Sequence, residues 1–265
     1  MLDLFSGIGG FSLAADWTGG IETVAFCEIE PFCQKVLKKH WPDVPIYSDI
    51  KELNGYDLVQ RHGAVDIICG GFPCQDISYA KTWTTNGAYC VDGIDGSRSG
   101  LWKDYKRIIS EIKPKFVVAE NVKALTNKGL DVVLRDLTEV GYDSEWCIIS
   151  PAVFGATHRR ERIFIMAYPI GFGRKQKSIL QGIFTSETIR QAPEWELSRT
   201  VCEANGKKTL PKSFGIYDGI PRGLHDADRI KALGNSIVPQ VVYPIFQGIV
   251  DIEQGGVTNG TTNRT

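Results

Sequence analysis

The sequence predicts an α/β fold, in which a mostly parallel sheet carries helices on both faces and a small irregular region is appended. Two observations support this. Short apolar runs alternate with amphipathic helical patterns over residues 1–168, and strand–helix alternation at this spacing is typical of parallel sheets. After Tyr168 the periodicity weakens, and Gly, Pro, Ser and Thr interrupt the pattern.

The elements of the first block follow from their apolar patterns. Apolar runs predict strands at residues 2–5, 21–27, 64–69, 115–119, 142–149 and 162–168. Apolar residues at helical spacing predict helices over residues 31–40, 101–112 and 130–137. Pro31 suits a first helical position, whereas Pro114 and Gly141 mark helix ends. A last apolar helix is predicted over residues 237–249.

The sequence pattern divides the chain into four regions. We expect a main domain over residues 1–168, a small irregular region over 169–222, a return to the main domain over 223–252 and a disordered tail over 253–265. Residues 169–215 contain eight Lys and Arg against four Asp and Glu, in a chain of net charge −1. This segment is either a solvated loop region or a local patch that meets a polyanion.

The composition narrows the class of protein. Hydrophobic residues make up 43% of the 265 residues, enough for a sizeable core. Seven cysteines, without Cys-x-x-Cys spacing, argue against a disulfide framework and a zinc site. We expect a cytoplasmic protein, because this cysteine pattern suits a reducing cytosol and no secretory signal is recognisable. We expect no metal, because no ligand cluster occurs, and no membrane span, because no run of about twenty apolar residues occurs.

A glycine-rich turn follows the first predicted strand, in the stretch Asp3-Leu4-Phe5-Ser6-Gly7-Ile8-Gly9-Gly10. Such a turn lets a ligand approach the backbone and exposes amides at a helix N-terminus. Packing alone also accounts for many glycine-rich turns. A full G-x-G-x-x-G pattern is missing, so a related nucleoside cofactor is favoured over a dinucleotide.

Two acidic residues, Glu28 and Asp49, lie farther along the chain at places where they could bind such a cofactor. Glu28 ends the second predicted strand about twenty residues after the glycines, where an acid can accept both ribose hydroxyls of an adenosine. Asp49 could accept a hydrogen bond from an adenine amine, and Ile29 and Ile50 could sandwich the ring. The alternatives are a carboxylate at a helix N-terminus for Glu28 and an ordinary turn aspartate for Asp49.

Cys74 lies after a strand, two glycines and a proline, in Gly70-Gly71-Phe72-Pro73-Cys74-Gln75. A lone cysteine is usually a small buried hydrophobe, but the cofactor edge of a sheet is a place for a reactive thiol. Glu120 directly follows another buried strand, and a carboxylate there needs a task or an ion-pair partner.

Two further groups complete the pattern. Arg160 and Arg162 face the same side of an extended chain, where their guanidiniums can hold a carbonyl oxygen or a carboxylate; a surface charge cluster is the alternative. Gly234-Asn235-Ser236 is a polar turn that opens the final helix.

The motifs DLFSGIGG, GFPCQ, ENV, RRER and GNS stand in this order. In their order and spacing the chain resembles the DNA cytosine-5 methyltransferase family of bacterial or phage type, over residues 2–168 and again over about 228–250. The resemblance implies an S-adenosylmethionine-dependent methyltransferase with a Rossmann-like sheet and a small, irregular target-recognition domain. It implies cofactor contacts at Phe5, Gly7, Gly9, Glu28, Ile29, Asp49, Pro73, Leu101, Asn235 and Ser236. It implies catalytic roles for Cys74, Glu120, Arg160 and Arg162.

The chain departs from the family pattern in places. The ninth motif is not recognisable, His158 stands where glutamine is commoner, and an extra stretch follows Cys74 at about residues 83–91. The expected partner is double-stranded DNA, bound by a monomer that flips the target base, with a cognate restriction endonuclease as an optional second partner. An RNA cytosine methyltransferase and a non-catalytic DNA-binding protein on the same fold are the alternatives.

Overall fold

A computed structural model describes residues 1–73, 100–156, 160–172, 178–184, 192, 232 and 235–255. Within these residues, seven strands form one sheet in the order β3-β2-β1-β4-β5-β7-β6. The strands are β1 (Leu2–Leu4), β2 (Ala25–Cys27), β3 (Ile46–Tyr47), β4 (Ile67–Gly71), β5 (Phe116–Val122), β6 (Tyr142–Ile149) and β7 (Arg162–Pro169). Only β7 breaks the parallel arrangement, pairing antiparallel with β5 and β6. The prediction of a mostly parallel α/β sheet is confirmed.

Seven α-helices lie in the described part of the chain. They are α1 (Gly10–Thr18), α2 (Pro31–His40), α3 (Gly55–His62), α4 (Leu101–Ile112), α5 (Leu130–Glu139), α6 (Ile179–Ile183) and α7 (Pro239–Glu253). Short 3-10 helices span Lys123–Asn127 and Pro151–Phe154. None of the helices described is long and apolar enough to cross a membrane.

Two hydrophobic cores cover the two faces of the sheet. On β4, Ile68 points into the core that contains Trp102 and Tyr105 of α4, whereas the flanking Ile67 and Cys69 point into the other. That second core is built largely from α1 and α7. This alternation is the geometric consequence of the pleated strand, and it explains why β4 reads as a continuous apolar run.

Among the described strands and α-helices, the apolar pattern did not predict β3, α1, α3 and α6. The strand β3 has only two residues, both half-buried, so its periodicity carries no signal. The helix α3 begins after Asn54, whose side chain accepts a hydrogen bond from the Asp57 amide at 3.0 Å. An asparagine at this position is a typical N-cap, so the start of α3 did have a recognisable sequence signal.

Several strand boundaries also differ from the prediction. The first strand ends at Leu4 because Phe5 has a positive φ of 52° and leaves the extended conformation. The second begins only at Ala25, since β1 is short and its neighbour can pair over no more than three residues. The strand β5 instead extends through Glu120 to Val122, where β7 pairs with it.

Helix α7 brings the end of the described chain back against its beginning. Val242 and Phe246 of α7 pack in one core with Phe11 of α1, and the Phe11 and Phe246 ring centroids are 6.0 Å apart. A Cβ atom at Gly10 would lie 2.7 Å from the Ile237 carbonyl oxygen. Glycine at this position therefore allows the chain that precedes α7 to approach the start of α1.

Candidate active site

Those predicted site residues that the structure describes lie at the carboxyl edge of the sheet. The strands β1, β4 and β5 run parallel, so the turn after Leu4, the chain after Gly71 and the Glu120 side chain all lie at this edge. In open α/β sheets this edge is where ligands bind.

The turn after β1 has a strained backbone. Phe5 adopts a left-handed conformation with φ 52°, which costs a non-glycine residue about 1–2 kcal/mol. Its ring stacks against Tyr105, with the centroids 6.2 Å apart. Gly7 has a φ of 54°, and the space where its side chain would be is open. The turn thus presents bare backbone toward the edge of the sheet.

Glu28 closes this turn from the neighbouring strand. Its Oε2 accepts a hydrogen bond from the Gly7 amide at 2.6 Å, and its Oε1 accepts one from the Glu30 amide at 2.8 Å. The side chain is buried, and desolvation raises its pKa despite these backbone donors. Each carboxylate oxygen retains a further lone pair for another donor.

The residues predicted around an adenine ring occupy different environments. Ile29 is 65% exposed, which is unusual for a large apolar side chain, whereas Ile50 is only 3% exposed and belongs to the core. Asp49 is half-buried, and its Oδ1 accepts a hydrogen bond from the Lys51 amide at 2.9 Å. Leu101, the first residue of α4, is half-buried and packs against the same core.

Glu120 is a buried carboxyl group paired with an arginine. The Arg162 Nε lies 3.0 Å from its Oε1. Desolvation raises the pKa of Glu120 to about 7, although Arg162 and Arg160 both act to lower it. A Cβ atom at Gly71 would lie 2.9 Å from the Glu120 Oε2, so glycine there makes room for the carboxyl group.

Arg160 contacts a different part of the site from Arg162. Its Nη1 donates a hydrogen bond to the Ser236 carbonyl oxygen at 2.7 Å, in the chain that leads to α7. Desolvation lowers the pKa of Arg160, with the neighbouring Arg162 adding to the effect. Both arginines nevertheless line one small pocket, together with Glu120, Phe164, Ser236 and Ile237.

Asn121 is a site residue that the sequence analysis did not assign. Its side chain is buried, and its Nδ2 donates a hydrogen bond to the Phe72 carbonyl oxygen at 3.1 Å. Its Oδ1 accepts from the Val122 amide at 2.8 Å. The amide therefore holds β5 to the chain segment that leads into Cys74. The only sequence signal is its position between Glu120 and Val122.

Some predicted site residues fall outside the part that the structure describes. Cys74 follows directly after Pro73, the last described residue of that segment. His158, which departs from the family pattern, also lies outside the described residues. Of the remaining predictions, the structure brings Glu120, Arg160, Arg162 and Ser236 together around one pocket. Asn235 is exposed beside Ser236. Phe5, Gly7, Gly9 and Glu28 form a second cluster at the glycine turn.

The architecture is shared with a solved structure of a methyltransferase. The Entamoeba histolytica methyltransferase EhMeth superposes with a TM-score of 0.62, and the match covers 96% of this chain and 98% of that one. The two sequences are only 14% identical, so the likeness concerns the fold alone. The likeness and the seven-stranded sheet place the protein in the class of α/β proteins that share this architecture.

The sequence narrows this class to a family. Residues 1–194 match the family described as C-5 cytosine-specific DNA methylase. Because the match covers well over half of the 265 residues, the chain belongs to the C-5 cytosine-specific DNA methylase family.

Individual relatives agree with this assignment. The chain is 29% identical to the type II methyltransferase M.CviJI of Paramecium bursaria Chlorella virus IL3A, over 94% of this chain and 58% of that protein. It is 32% identical to the type II methyltransferase M.HgiBI of Herpetosiphon aurantiacus, over 96% of this chain and 53% of that protein. The chain thus spans about half the length of the curated relatives it matches.

Proposed function

We propose that the protein transfers a methyl group from S-adenosylmethionine to carbon 5 of cytosine in double-stranded DNA, through a covalent adduct with Cys74. The observation that carries the proposal is Glu120. A buried carboxyl group with a pKa near 7 lies against an arginine, at the edge where β4 leads into Cys74. Such a group can be a proton donor at neutral pH.

The proposed role of Cys74 follows from the chemistry of the base. Carbon 5 of cytosine is a poor nucleophile, and addition of a thiolate to carbon 6 raises the electron density at carbon 5. The covalent bond therefore divides one difficult step into two easier ones. After methylation, removal of the proton from carbon 5 allows the Cys74 sulfur to leave and restores the aromatic ring.

Glu120 and Arg162 suit the charge that develops on the ring. Electron density builds at N3 as the sulfur attacks, and protonated Glu120 can donate its proton or a hydrogen bond there. Arg162 has N–H groups besides the Nε that contacts Glu120, and these can bind the O2 carbonyl. Arg160 supports the pocket through its hydrogen bond to Ser236, and its charge acts on Glu120 without a direct bond.

The glycine turn fits the proposed cofactor, which supplies the methyl group when bound. The open space at Gly7 admits a ligand against the backbone, and the free lone pairs of Glu28 can accept ribose hydroxyls. Ile29 offers an exposed apolar side chain against which a flat base can stack. Asp49 has one carboxylate oxygen bound to Lys51, which leaves the other available for an amine.

Target recognition is assigned to the region outside the main domain. We propose that residues 169–222, most of which lie outside the described part, contact the DNA. Residues 78–99, which lie wholly outside the described part, are proposed to close over the flipped base. The support is the excess of four positive charges in residues 169–215 and the need to unstack a base before both its faces can react. We further propose a monomer on DNA, with a cognate restriction endonuclease as a partner that the reaction does not require.

The proposal is tested by trapping the covalent adduct. Duplex DNA that contains 5-fluorocytosine blocks the final elimination, so the wild-type protein with S-adenosylmethionine should form a complex that survives denaturing electrophoresis. Cys74→Ser should abolish the complex. Cys147→Ser, which alters a half-buried cysteine on β6, should retain it. Trapping by Cys74→Ser at the wild-type rate would disprove the role of Cys74, and trapping on RNA alone would identify an RNA enzyme.

A further inference from the structure

Two side chains of α4 hold the loop that connects β3 to α3. We propose that Arg107, together with Glu111, positions Asp49 for the adenine end of the cofactor. This inference rests on the proposed function, since it assumes that the adenosine of S-adenosylmethionine binds beside Asp49. Arg107 itself lies in the middle of α4, almost two helical turns after Leu101, and acts through the loop.

The contacts between Arg107 and the loop are direct. Its Nη2 donates to the Ile50 carbonyl oxygen at 2.7 Å, and its Nη1 donates to the Leu53 carbonyl oxygen at 2.8 Å. The planar guanidinium holds both acceptors in one fixed geometry, which a lysine cannot reproduce. One side chain therefore fixes the two ends of a four-residue segment that begins directly after Asp49.

Glu111 completes this arrangement. Its Oε1 lies 2.9 Å from the Arg107 Nη1, and its Oε2 accepts a hydrogen bond from the Gly55 amide at 2.6 Å. A Cβ atom at Gly55 would lie 2.8 Å from the Glu111 Cβ, so glycine permits this close approach. Arg107 and Glu111, which we call the loop clamp, together bind the chain at Ile50, Leu53 and Gly55.

The loop depends on the clamp for part of its hydrogen bonding. The Glu52 and Leu53 amides both donate to the Asp49 carbonyl oxygen at 3.1 Å, which makes a tight turn. Ile50 and Leu53 are each only 3% exposed as whole residues, so their carbonyl groups lie where unpaired acceptors would be unfavourable. Without Arg107 the turn must find other donors, and the Asp49 carboxylate would lose its fixed position.

Preorganisation is the expected benefit to binding. A ligand that meets a carboxylate already in place does not have to order the loop, and affinity rises accordingly. Arg107 and Glu111 hold the chain at Ile50, Leu53 and Gly55, and none of these residues lines the described pocket around Glu120. Loss of the clamp should therefore weaken cofactor binding without changing the chemical step.

The experiment compares Arg107→Gln with a matched control on the same helix. Lys106→Gln removes a charge that contacts Asp136 and Glu139 on α5 and does not contact the loop. Hydrogen exchange of the Glu52 and Leu53 amides in the ligand-free protein should be faster in Arg107→Gln and unchanged in Lys106→Gln. By calorimetry, the Kd for S-adenosylhomocysteine should rise about tenfold or more in Arg107→Gln only, the scale of one hydrogen bond to a charged group.

Two further measurements separate positioning from general destabilisation. The KM for S-adenosylmethionine should rise in Arg107→Gln, while kcat at saturating cofactor stays within about threefold of the wild type. In an Asp49→Ala background, Arg107→Gln should have little further effect on the Kd, because the residue it positions is gone. Fully additive effects of the two substitutions, or equal Kd values for Arg107→Gln and the wild type, would overturn the inference.

Failure of the proposed function would look different. If the wild-type protein does not bind S-adenosylhomocysteine, the cofactor assignment is refuted. If the wild-type protein binds it and Arg107→Gln binds it equally well, only the role of the loop clamp is refuted. If Arg107→Gln does not fold, Arg107→Lys supplies the same comparison. The lysine keeps the charge but can reach only one of the two carbonyl oxygens, so we expect a Kd between those of the wild type and Arg107→Gln. A wild-type Kd would count against the proposal.

Discussion

Replacing Glu120 by glutamine isolates the step in which the carboxyl group would donate a proton. Glutamine has nearly the same shape and can still donate a hydrogen bond to N3 of cytosine, but it cannot transfer a proton. Gly71 has no side chain beside the carboxyl group, so we expect an amide of the same shape to fit there. We expect adduct formation with Cys74 to slow by about 10²–10⁴-fold, the usual contribution of a positioned general acid.

The pH dependence of this loss follows from the pKa of about 7. At pH 6 about nine in ten Glu120 side chains are protonated, and at pH 8 about one in ten. Both proteins are assayed under the same conditions, so the comparison uses the ratio of their rates at each pH. The ratio of the wild-type rate to the Glu120→Gln rate should therefore fall about tenfold between pH 6 and pH 8.

The assay is single-turnover trapping on duplex DNA with 5-fluorocytosine, with protein and cofactor in excess. Glu161→Gln is the matched control, because Glu161 precedes Arg162 in the chain but pairs with Lys123 at the surface. Its rate should follow the wild-type profile. A Glu120→Gln protein whose rate keeps a constant ratio to the wild type from pH 6 to pH 8 would refute proton donation by Glu120.

Three other predictions concern Glu28 at the glycine turn, Asn121 on β5 and the buried Asp3 on β1. Glu28→Ala removes the acceptor of the Gly7 amide and the proposed acceptor of the ribose, so calorimetry should show S-adenosylmethionine affinity reduced about tenfold or more; unchanged affinity would reject the assignment. Asn121→Asp removes the donor to the Phe72 carbonyl oxygen while keeping the shape, so the trapping rate should fall while cofactor affinity is retained; a parallel loss of both would indicate general unfolding instead. Asp3 is fully buried and its pKa is raised by desolvation from 3.8 to about 8, so the stability it contributes is present below pH 3.8 and is lost as pH rises through 8. Urea unfolding of Asp3→Asn should accordingly vary less between pH 5 and pH 8.5 than that of the wild type, and equal variation would show that Asp3 does not titrate in this range.

The sequence predicts the main fold well, because the spacing of buried residues within each strand or helix can be read from a short stretch of sequence. The continuous apolar runs at β4 and β5 are those of strands covered on both faces, and the structure covers both faces of each. The boundaries were less accurate, since strand ends depend on the neighbouring strand. Three residues of β1 limit the pairing of β2, and β7 extends β5 beyond the apolar run.

Within the site, residue types and their order along the chain were already informative in the sequence. An acid after the second strand, a cysteine after two glycines and a proline, and an acid after a buried strand all came from the sequence alone. The sequence alone could not show which of these side chains contact one another. Glu28 and Gly7 are 21 positions apart, and their contact depends on the parallel register that pairs Leu4 with Cys27.

Longer-range contacts were decided by the tertiary structure alone. The bond from Arg160 to Ser236 joins residues 76 positions apart and exists because α7 returns to pack on α1. The raised pKa of Glu120 depends on the same assembly, since desolvation requires β4, β7 and the chain before α7 to surround one carboxyl group. A sequence specifies each chemical group and its local backbone, but burial and charge proximity are properties of the packed chain.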